Sequence, residues 1–320
     1  MSAGADTSEF DRKLLHFQEQ SDARLATMRD AARAMFGEAT GFMIGVNGSL
    51  ARREYTSGSD VDLFFLVVDG DLAKAKEAQD RFRQKLQEIG VKMPALGGVF
   101  EEPLAADEML NTIGGNDDTN TYITRRMLFL LEGEWIFNQP KFEEARKALI
   151  AKYVEDGLDD KKICLFLLND IIRYWRTICV DYEYKIAGGV KAKAVRLIKL
   201  RFSRMLLYFA GVVAVGQTQG LPYEEKRAVL DTLLATPPIE RLRSVIGDKS
   251  QTSLRLYAEF LDALDDTETR KQLELLGDDG LSTMAYAALS EKARAFKDSL
   301  FQILVTELGT GHPVIKALLL

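Results

Sequence analysis

The sequence contains few of the residues on which several common protein classes depend. Only two cysteines and two histidines occur in 320 residues. Cys164 and Cys179 both lie in apolar surroundings, which argues against a disulfide framework and favours a reducing compartment. His16 and His312 are far from either cysteine in the sequence, so a zinc site has no ligand set.

Long uncharged apolar runs and an excess of positive charge are also missing. The N-terminal stretch MSAGADTSEFDRKLL has no apolar segment typical of a signal peptide. The most apolar stretch, ICLFLLNDIIRYW, is interrupted by Asn169, Asp170 and Arg173. The sequence therefore predicts a soluble, cytoplasmic protein without a membrane partner. The net charge of −6 argues against nucleic acid as a partner, although a basic segment at 191–204 keeps that alternative open.

The sequence does contain enough apolar residues for a large core. Hydrophobic residues make up 47% of the chain, whose length suggests about two domains. Apolar positions recur at helical spacing in most of the chain. The predicted helices are 8–36, 71–89, 120–133, 140–153, 161–187, 191–215, 223–235, 252–265 and 284–308.

Strand signals occur only in the first third of the chain. The apolar runs GFMIGVNGS and VDLFFLVVDG predict two buried strands, and 61–70 is apolar on both faces, which predicts a central position. A third, weaker strand is predicted within 91–102. The predicted fold class is α/β (α+β), with a small mixed head at 1–150 and an all-helical body at 151–320.

The stretch GSLARREYTSGSDVD, which begins at Gly48, is the most informative part of the sequence. Gly48 and Ser49 follow a predicted strand, where glycine lets backbone N–H groups approach an anion and serine adds a hydroxyl donor. Asp60 and Asp62 stand on either side of Val61 at the start of the next strand. Because side chains alternate along a strand, we expect both carboxylates on one face and Val61 in the core.

Two carboxylates held close together repel each other unless a cation lies between them. Hard oxygen ligands favour Mg²⁺ or Mn²⁺. A phosphate cradle on one strand end, beside a two-carboxylate metal clamp on the next, is suited to a nucleoside triphosphate. The stretch therefore predicts Mg²⁺ (or Mn²⁺) as cofactor and a nucleoside triphosphate as substrate.

The same residues resemble a known family. The pattern of an apolar strand, Gly-Ser, about ten residues and then Asp-apolar-Asp is similar to that of the polymerase-β-type nucleotidyltransferase superfamily. More narrowly, GVNGSLARREYTSGSDVDLFFLV resembles the catalytic head of the uridylyltransferase that modifies the PII nitrogen-regulatory protein, and related bacterial nucleotidyltransferases. The stretches 119–138 and 168–185 are also typical of that group, so the resemblance spans about residues 1–215.

The resemblance implies a nucleotidyltransferase head in which Asp60 and Asp62 are catalytic metal ligands. It also implies that Gly48 and Ser49 hold the β- and γ-phosphates. The chain departs from the uridylyltransferase because it has too few histidines for a histidine-aspartate hydrolase domain and no obvious sensor domain. Reversible control of a PII protein therefore does not carry over.

Further candidate residues surround this motif. Glu101 or Glu102 would supply a third carboxylate, and only one of the two would face the metal in an extended segment. Glu101 is preferred as the catalytic residue, and the alternative is an exposed acidic strand end. Arg52 and Arg53 lie in the loop before Asp60, where they would either neutralise triphosphate charge or lie in solvent.

Two other groups complete the predicted nucleotide site. Ser59 is expected to cap the turn and orient the aspartate that follows it. In the basic helix, Lys193 and Arg196 share a face with Lys199 or Ser203 and could meet the triphosphate. The alternative for this face is a solvated, salt-bridged surface.

The predicted activity is metal-dependent transfer of a nucleoside monophosphate to an acceptor hydroxyl, with release of pyrophosphate. A protein acceptor is favoured through the resemblance. The alternatives are a synthase of nucleotide second messengers or oligonucleotides, a modifier of small molecules, and a non-catalytic nucleotide-binding regulatory module.

Overall fold

The computed structural model describes residues 8–38, 41–94, 98–186 and 192–319, which are mostly helical with one small mixed sheet. This confirms the predicted α+β class with a helical body, while the assignment of the head to nucleotidyltransferases stays a prediction. The strands of the described residues are β1 (Phe42–Asn47), β2 (Asp62–Val67), β3 (Leu104–Ala105) and β4 (Glu134–Phe137).

The sheet has the order β3-β2-β1-β4. Strand β1 is antiparallel to β2 and β4, and β2 is parallel to β3. The two strongly apolar runs form β1 and β2 as predicted, and β2 is internal, as its two apolar faces indicated. β4 was missed because four residues are too few to show an alternating pattern.

The prediction of a third strand within 91–102 is wrong for the part that the structure describes. Residues 91–94 form no regular element, turns occupy 99–102, and 95–97 lie outside the described residues. The carbonyl of Lys92 accepts the backbone N–H of Val61 at 3.0 Å, which keeps this segment beside the sheet without extending the ladder. Pairing with β2 begins only at Leu104.

Helices make up the rest of the described chain, and none of them is long and apolar enough to cross a membrane. All the predicted helices occur, although 187 and 191 lie outside the described residues. Five short helices of the described residues were missed, because a helix of few turns shows little periodicity. In chain order the helices are α1 (Glu9–Phe36), α2 (Gly48–Ala51), α3 (Leu72–Glu88), α4 (Ala106–Asn111), α5 (Asn120–Glu132), α6 (Gln139–Tyr153), α7 (Leu165–Ile186), α8 (Lys193–Lys199), α9 (Met205–Gly216), α10 (Tyr223–Leu234), α11 (Pro238–Ile246), α12 (Gln251–Asp265), α13 (Thr267–Leu273), α14 (Met284–Ile303) and α15 (Pro313–Leu319).

The two faces of the sheet belong to different parts of the core. Phe64 and Leu66 face a cluster that includes residues of α5, α6 and α7. Leu63 and Phe65 face a second cluster with α1 and α3. The alternation along β2 therefore places helices on both faces, which is why the strand is apolar throughout. The boundary drawn at 150 falls inside α6.

Helix α1 joins the sheet to the helical body. Its Leu25, Met28 and Ala32 pack in the cluster beneath the sheet. One end of the same helix carries Leu14 and Phe17 into a third cluster, formed mainly by α8, α9, α12 and α14. The first helix, predicted as part of the head, therefore contributes to both units and limits how far they can separate.

A buried ion cluster connects α5 to α7. The guanidinium of Arg126, which is fully buried, donates to Asp118 at 2.8 Å and to Asp170 at 3.0 Å. Tyr153 donates its hydroxyl to Asp170 at 2.6 Å. Arg173 reaches Asp118 from a half-exposed position. Asp170 and Arg173 of α7 are thus turned toward partner elements, and their contacts with Arg126 and Asp118 hold α5 in place.

We expect Arg126→Leu to destabilise the protein by about 3–5 kcal/mol, because two buried carboxylates lose their charge partner. Arg173→Leu also removes a partner of Asp118, but it should cost about 1 kcal/mol or less because that arginine is half-exposed. Urea unfolding followed by circular dichroism measures both changes. Equal costs for the two variants would contradict this account of the cluster.

Candidate active site

The loop after β1 brings Gly48 against Asp62. Gly48 has a φ of +77°, and a Cβ at this position would lie 2.7 Å from Oδ2 of Asp62. A side chain would therefore suffer both backbone strain and collision with the carboxylate. Glycine is required here so that the Asp62 carboxylate can lie directly on the loop backbone.

Asp60 and Asp62 have the arrangement that the sequence predicted. Val61 between them is fully buried, while both aspartates are exposed. Within the described residues neither carboxylate forms a hydrogen bond or an ion pair. The pKa of Asp62 is raised to about 6, first because the surrounding walls remove hydration from the carboxylate and second because Asp60 lies nearby. Arg204 and Arg52 act in the opposite direction but offset this rise only in part, so the two carboxylates remain close and without an ion-pair partner among the described residues.

Behind this pair lies a buried charge network centred on Glu132, at the end of α5. Its carboxylate accepts the backbone N–H of Gly48 at 3.1 Å and a hydrogen bond from Arg204 at 3.1 Å. It also pairs with Arg52, which in turn pairs with Glu54 at 2.8 Å. Burial alone would raise the pKa of Glu132, but Arg52 and Arg204 outweigh that effect and lower it.

This network changes the expected roles of two residues. The N–H of Gly48 is already donated to Glu132, so the predicted phosphate contact of this loop rests on Ser49. Arg52 lines the same cavity as Asp60 and Asp62, but its guanidinium is held between Glu54 and Glu132. The network therefore fixes the shape of the loop and commits Arg52 to two carboxylates.

The wall opposite the aspartates comes from the helical body. Between α8 and α9 the helix makes a π-helical turn at Leu200–Arg204. Such a turn holds one more residue than an α-helical turn and is frequent at functional sites. It places Lys199, Ser203 and Arg204 in the wall of the cavity that Asp60 and Asp62 also line.

Arg270 of α13 completes this wall. Its guanidinium donates to the carbonyl of Gly58 at 2.7 Å, and a Cβ on Gly58 would lie 2.1 Å from Nη1. Ser59 in the same turn accepts the N–H of Thr56 at 3.1 Å, as expected for a turn-capping serine. Arg270 thus binds the loop that carries Asp60 to the helical body.

Together these residues form what we call the polar cleft, a cavity of about 90 Å³. Lys199 is exposed there and forms no ion pair within the part of the chain that the structure describes. Its pKa is lowered, chiefly by desolvation and then by Arg270. The lining residues that matter below are Gly48, Ser49, Asp60, Asp62, Lys199, Arg204 and Arg270.

Three predicted nucleotide-binding residues lie elsewhere. Arg53 pairs with Asp22 and Glu134. Lys193 pairs with Asp278 at 2.7 Å. Arg196, on the same helix as Lys193, does not line the polar cleft. Six predicted residues do line it: Gly48, Ser49, Arg52, Ser59, Asp60 and Asp62.

The two candidates for a third carboxylate, Glu101 and Glu102, lie in different surroundings. Glu101 lines a second cavity together with Asp62. Glu102 is exposed and pairs with Lys76 at 3.1 Å. Glu132 is nearer to the Gly-Ser loop than the sequence indicated, but its charge is already compensated.

Sequence reasoning missed Arg204, Arg270 and Glu132. The π-helical turn shifts Arg204 out of the face that regular helical spacing predicts. Arg270 reaches the loop from 212 residues along the chain. Glu132 lies at the end of a strongly apolar helix, where a lone acid carries no recognisable signal.

The residues fit Mg²⁺ or Mn²⁺ bound together with a substrate, but not a metal bound by protein alone. Among the described residues, no three histidine, cysteine, aspartate or glutamate side chains group closely enough to hold a metal ion. Magnesium commonly uses one or two carboxylates and completes its ligand shell with waters and substrate phosphates. Asp60 and Asp62 offer two carboxylates of that kind as metal ligands.

Comparison with known proteins adds no further assignment. No protein-family model matches the chain, and no curated protein matches it. The resemblance of the Gly-Ser and Asp-x-Asp stretch to nucleotidyltransferases stays a prediction, and the site is interpreted from its own geometry.

We expect Asp62→Asn to stabilise the metal-free protein at neutral pH, because it removes an uncompensated charge. The rise of the Asp62 pKa from 3.8 to about 6 corresponds to at most roughly 3 kcal/mol. Solvent screening of this exposed group reduces that to roughly 1 kcal/mol.

The effect has a defined pH window. A carboxyl group whose pKa is raised on folding makes stability fall as pH increases from about 4 to about 6. The difference between wild type and Asp62→Asn should therefore be full above pH 6 and vanish below pH 4. Chemical unfolding in the presence of a chelator measures it. A less stable variant at pH 7 would show that Asp62 has an unrecognised stabilising partner.

Proposed function

We propose that the protein is a metal-dependent nucleotidyltransferase that moves a nucleoside monophosphate from a nucleoside triphosphate to an acceptor hydroxyl. The observation that carries the proposal is the pair of exposed carboxylates, Asp60 and Asp62, which line one cleft with Lys199 and have no ion-pair partner among the described residues. Two carboxylates held close together without an ion-pair partner indicate a functional role, because their repulsion destabilises the folded protein.

The charges of the polar cleft support a bound triphosphate. Ser49 offers a hydroxyl on the loop side, and Lys199 lies on the body side. Arg204 and Arg270 also line the body side, although each is paired with a glutamate, Glu132 and Glu274 respectively. Cations and hydroxyl donors on opposite walls match the charge distribution of a polyphosphate. The cleft volume of about 90 Å³ is small, so the sugar and base would extend beyond it.

In the reaction, the acceptor oxygen forms a bond to the α-phosphorus and the bond from that phosphorus to the bridging oxygen breaks. Pyrophosphate leaves with the electron pair. Magnesium, when bound, would supply charge neutralisation at the phosphates and the acceptor oxygen. Asp60 and Asp62 would hold it, and Lys199 and Arg204 would orient the phosphates. The hydroxyl proton passes to a carboxylate beside the acceptor, for which Glu101 is the candidate.

The direct test incubates purified protein with Mg²⁺ or Mn²⁺ and each α-labelled nucleoside triphosphate, with and without cell lysate. The control is Asp60→Asn/Asp62→Asn, which keeps side-chain volume but removes both charges. We expect wild type alone to transfer label to an acceptor. A new nucleotide product formed without lysate would instead indicate a nucleotide synthase. Nucleotide binding without any metal-dependent turnover would overturn the enzyme and leave a regulatory binding module.

The two lysines of helix α8 provide a matched pair for phosphate binding. We expect Lys199→Gln to weaken triphosphate affinity by about tenfold, because a charge-assisted hydrogen bond is lost. Lys193→Gln removes the same charge from the same helix but should change affinity by less than about twofold, because Lys193 pairs with Asp278 outside the cleft. Isothermal titration with a non-hydrolysable triphosphate measures both. Equal losses of affinity in the two variants would contradict a direct contact between Lys199 and the phosphates, because long-range electrostatics alone would then explain both.

A further inference from the structure

Asp62 also lines a second cavity, which we call the side cavity. It holds about 190 Å³ and its lining includes Asn47, Arg83, Phe100 and Leu128. It lies beside the part of β2 that β3 does not cover, since β3 pairs only with the last two residues of β2. Asp62 and Arg204 belong to both cavities, so the side cavity and the polar cleft meet at the proposed metal site.

Two buried polar atoms in the lining of the side cavity have no hydrogen-bond partner among the residues that the structure describes. One is Oδ1 of Asn47, whose residue is only 3% exposed. Asn47 is directly opposite Asp62 in the β1–β2 ladder, so both side chains are on the same face of the sheet. The other is Nε of Arg83, whose Nη2 donates to the carbonyl of Glu101.

Unsatisfied buried polar atoms are costly and rare in folded proteins. Each loses its hydration without a replacement, so each calls for a specific explanation. Here one atom is an acceptor and the other is a donor. An amide-bearing ligand carries both complementary groups, an N–H for Asn47 and a carbonyl oxygen for Arg83. The two atoms together are suited to a ligand that carries an amide.

The rest of the lining limits the size and character of the ligand. Met93, Pro94, Phe100 and Leu128 provide apolar contact surface. The volume of about 190 Å³ is below the roughly 300–1,000 Å³ of pockets that enclose drug-sized ligands. The cavity therefore suits one compact group with an apolar body, delivered from outside, rather than a complete nucleotide.

We infer that the side cavity is the acceptor subsite, and that the acceptor is a hydroxyl group with an apolar body and an adjoining amide, as in a hydroxyl amino-acid residue. Asn47 accepts the amide N–H and Arg83 donates to the amide carbonyl, so both residues determine specificity. The hydroxyl then points to Asp62, opposite the triphosphate. This inference rests on the proposed nucleotidyl transfer and adds the chemistry of its acceptor.

The experiment uses two pairs of small acceptors, in which one member carries the two amide groups of an amino-acid residue and the other lacks both. N-acetyltyrosine amide is compared with para-ethylphenol, and N-acetylserine amide with ethanol. Transfer of α-labelled nucleotide to each gives kcat/KM, and saturation-transfer NMR measures binding of the same probes without nucleotide. The variants are Asn47→Leu and Arg83→Lys, with Arg81→Lys as a control on the same helix.

For wild type we expect at least one amide probe to have a kcat/KM about tenfold or more above its partner, since one to two hydrogen bonds are gained. Asn47→Leu and Arg83→Lys should raise KM for the amide and bring the ratio close to one. Arg81→Lys, which is exposed, should keep the wild-type ratio. A peptide that contains the preferred residue, tested against the free amino-acid amide, then distinguishes a protein acceptor from a small molecule.

Three results would overturn the inference. Wild type could show no preference for the amide probes over their partners. Alternatively, Arg83→Lys could keep the same kcat/KM ratio as Arg81→Lys. Metal-dependent turnover of nucleotide with neither labelling nor NMR binding of any probe would reject this acceptor chemistry while the proposed function stands. Absence of any turnover would reject the proposed function, and the NMR contrast between wild type and Arg83→Lys would still decide whether the cavity binds an amide.

Discussion

The buried carboxylate of Glu132 is the interaction on which the site depends. It accepts hydrogen bonds from the backbone of Gly48 in the Gly-Ser loop and from Arg52 and Arg204. These partners belong to the head and to the helical body, and Glu132 ends the helix between them. A charge desolvated this deeply is tolerable only while all its partners are in place. The orientation of the body relative to the loop is therefore part of the site itself.

The carboxylates buried beneath the Gly-Ser loop have ion-pair partners, whereas the carboxylates in the polar cleft have none among the described residues. Glu54 and Glu132 are paired with arginines, but Asp60 and Asp62 face Lys199 across an open cleft without an ion pair among the described residues. This asymmetry has a cost in the metal-free protein, which the raised pKa of Asp62 expresses. Binding of a metal and an anionic substrate would relieve it, so the stability of the protein and occupancy of the cleft are coupled.

Prediction from sequence succeeded where the signal is local. The strands β1 and β2 and the long helices follow from hydrophobic periodicity, and the common face of Asp60 and Asp62 follows from alternation around Val61. It failed for 91–102, where the Lys92 carbonyl binds Val61 without forming a strand. It also missed β4, which is too short to show a period.

The sequence by itself determined the class of the fold, the Gly-Ser turn and the pair of carboxylates, because each depends on residues that are close together in the chain. Only the tertiary structure decided which cations face them. Lys193 has the right helical spacing but pairs with Asp278, whereas Arg204 enters the cleft through a π-helical turn. Arg270 arrives from a distant helix. Ion pairs and helix register depend on long-range packing, which the order of residues along one helix does not contain.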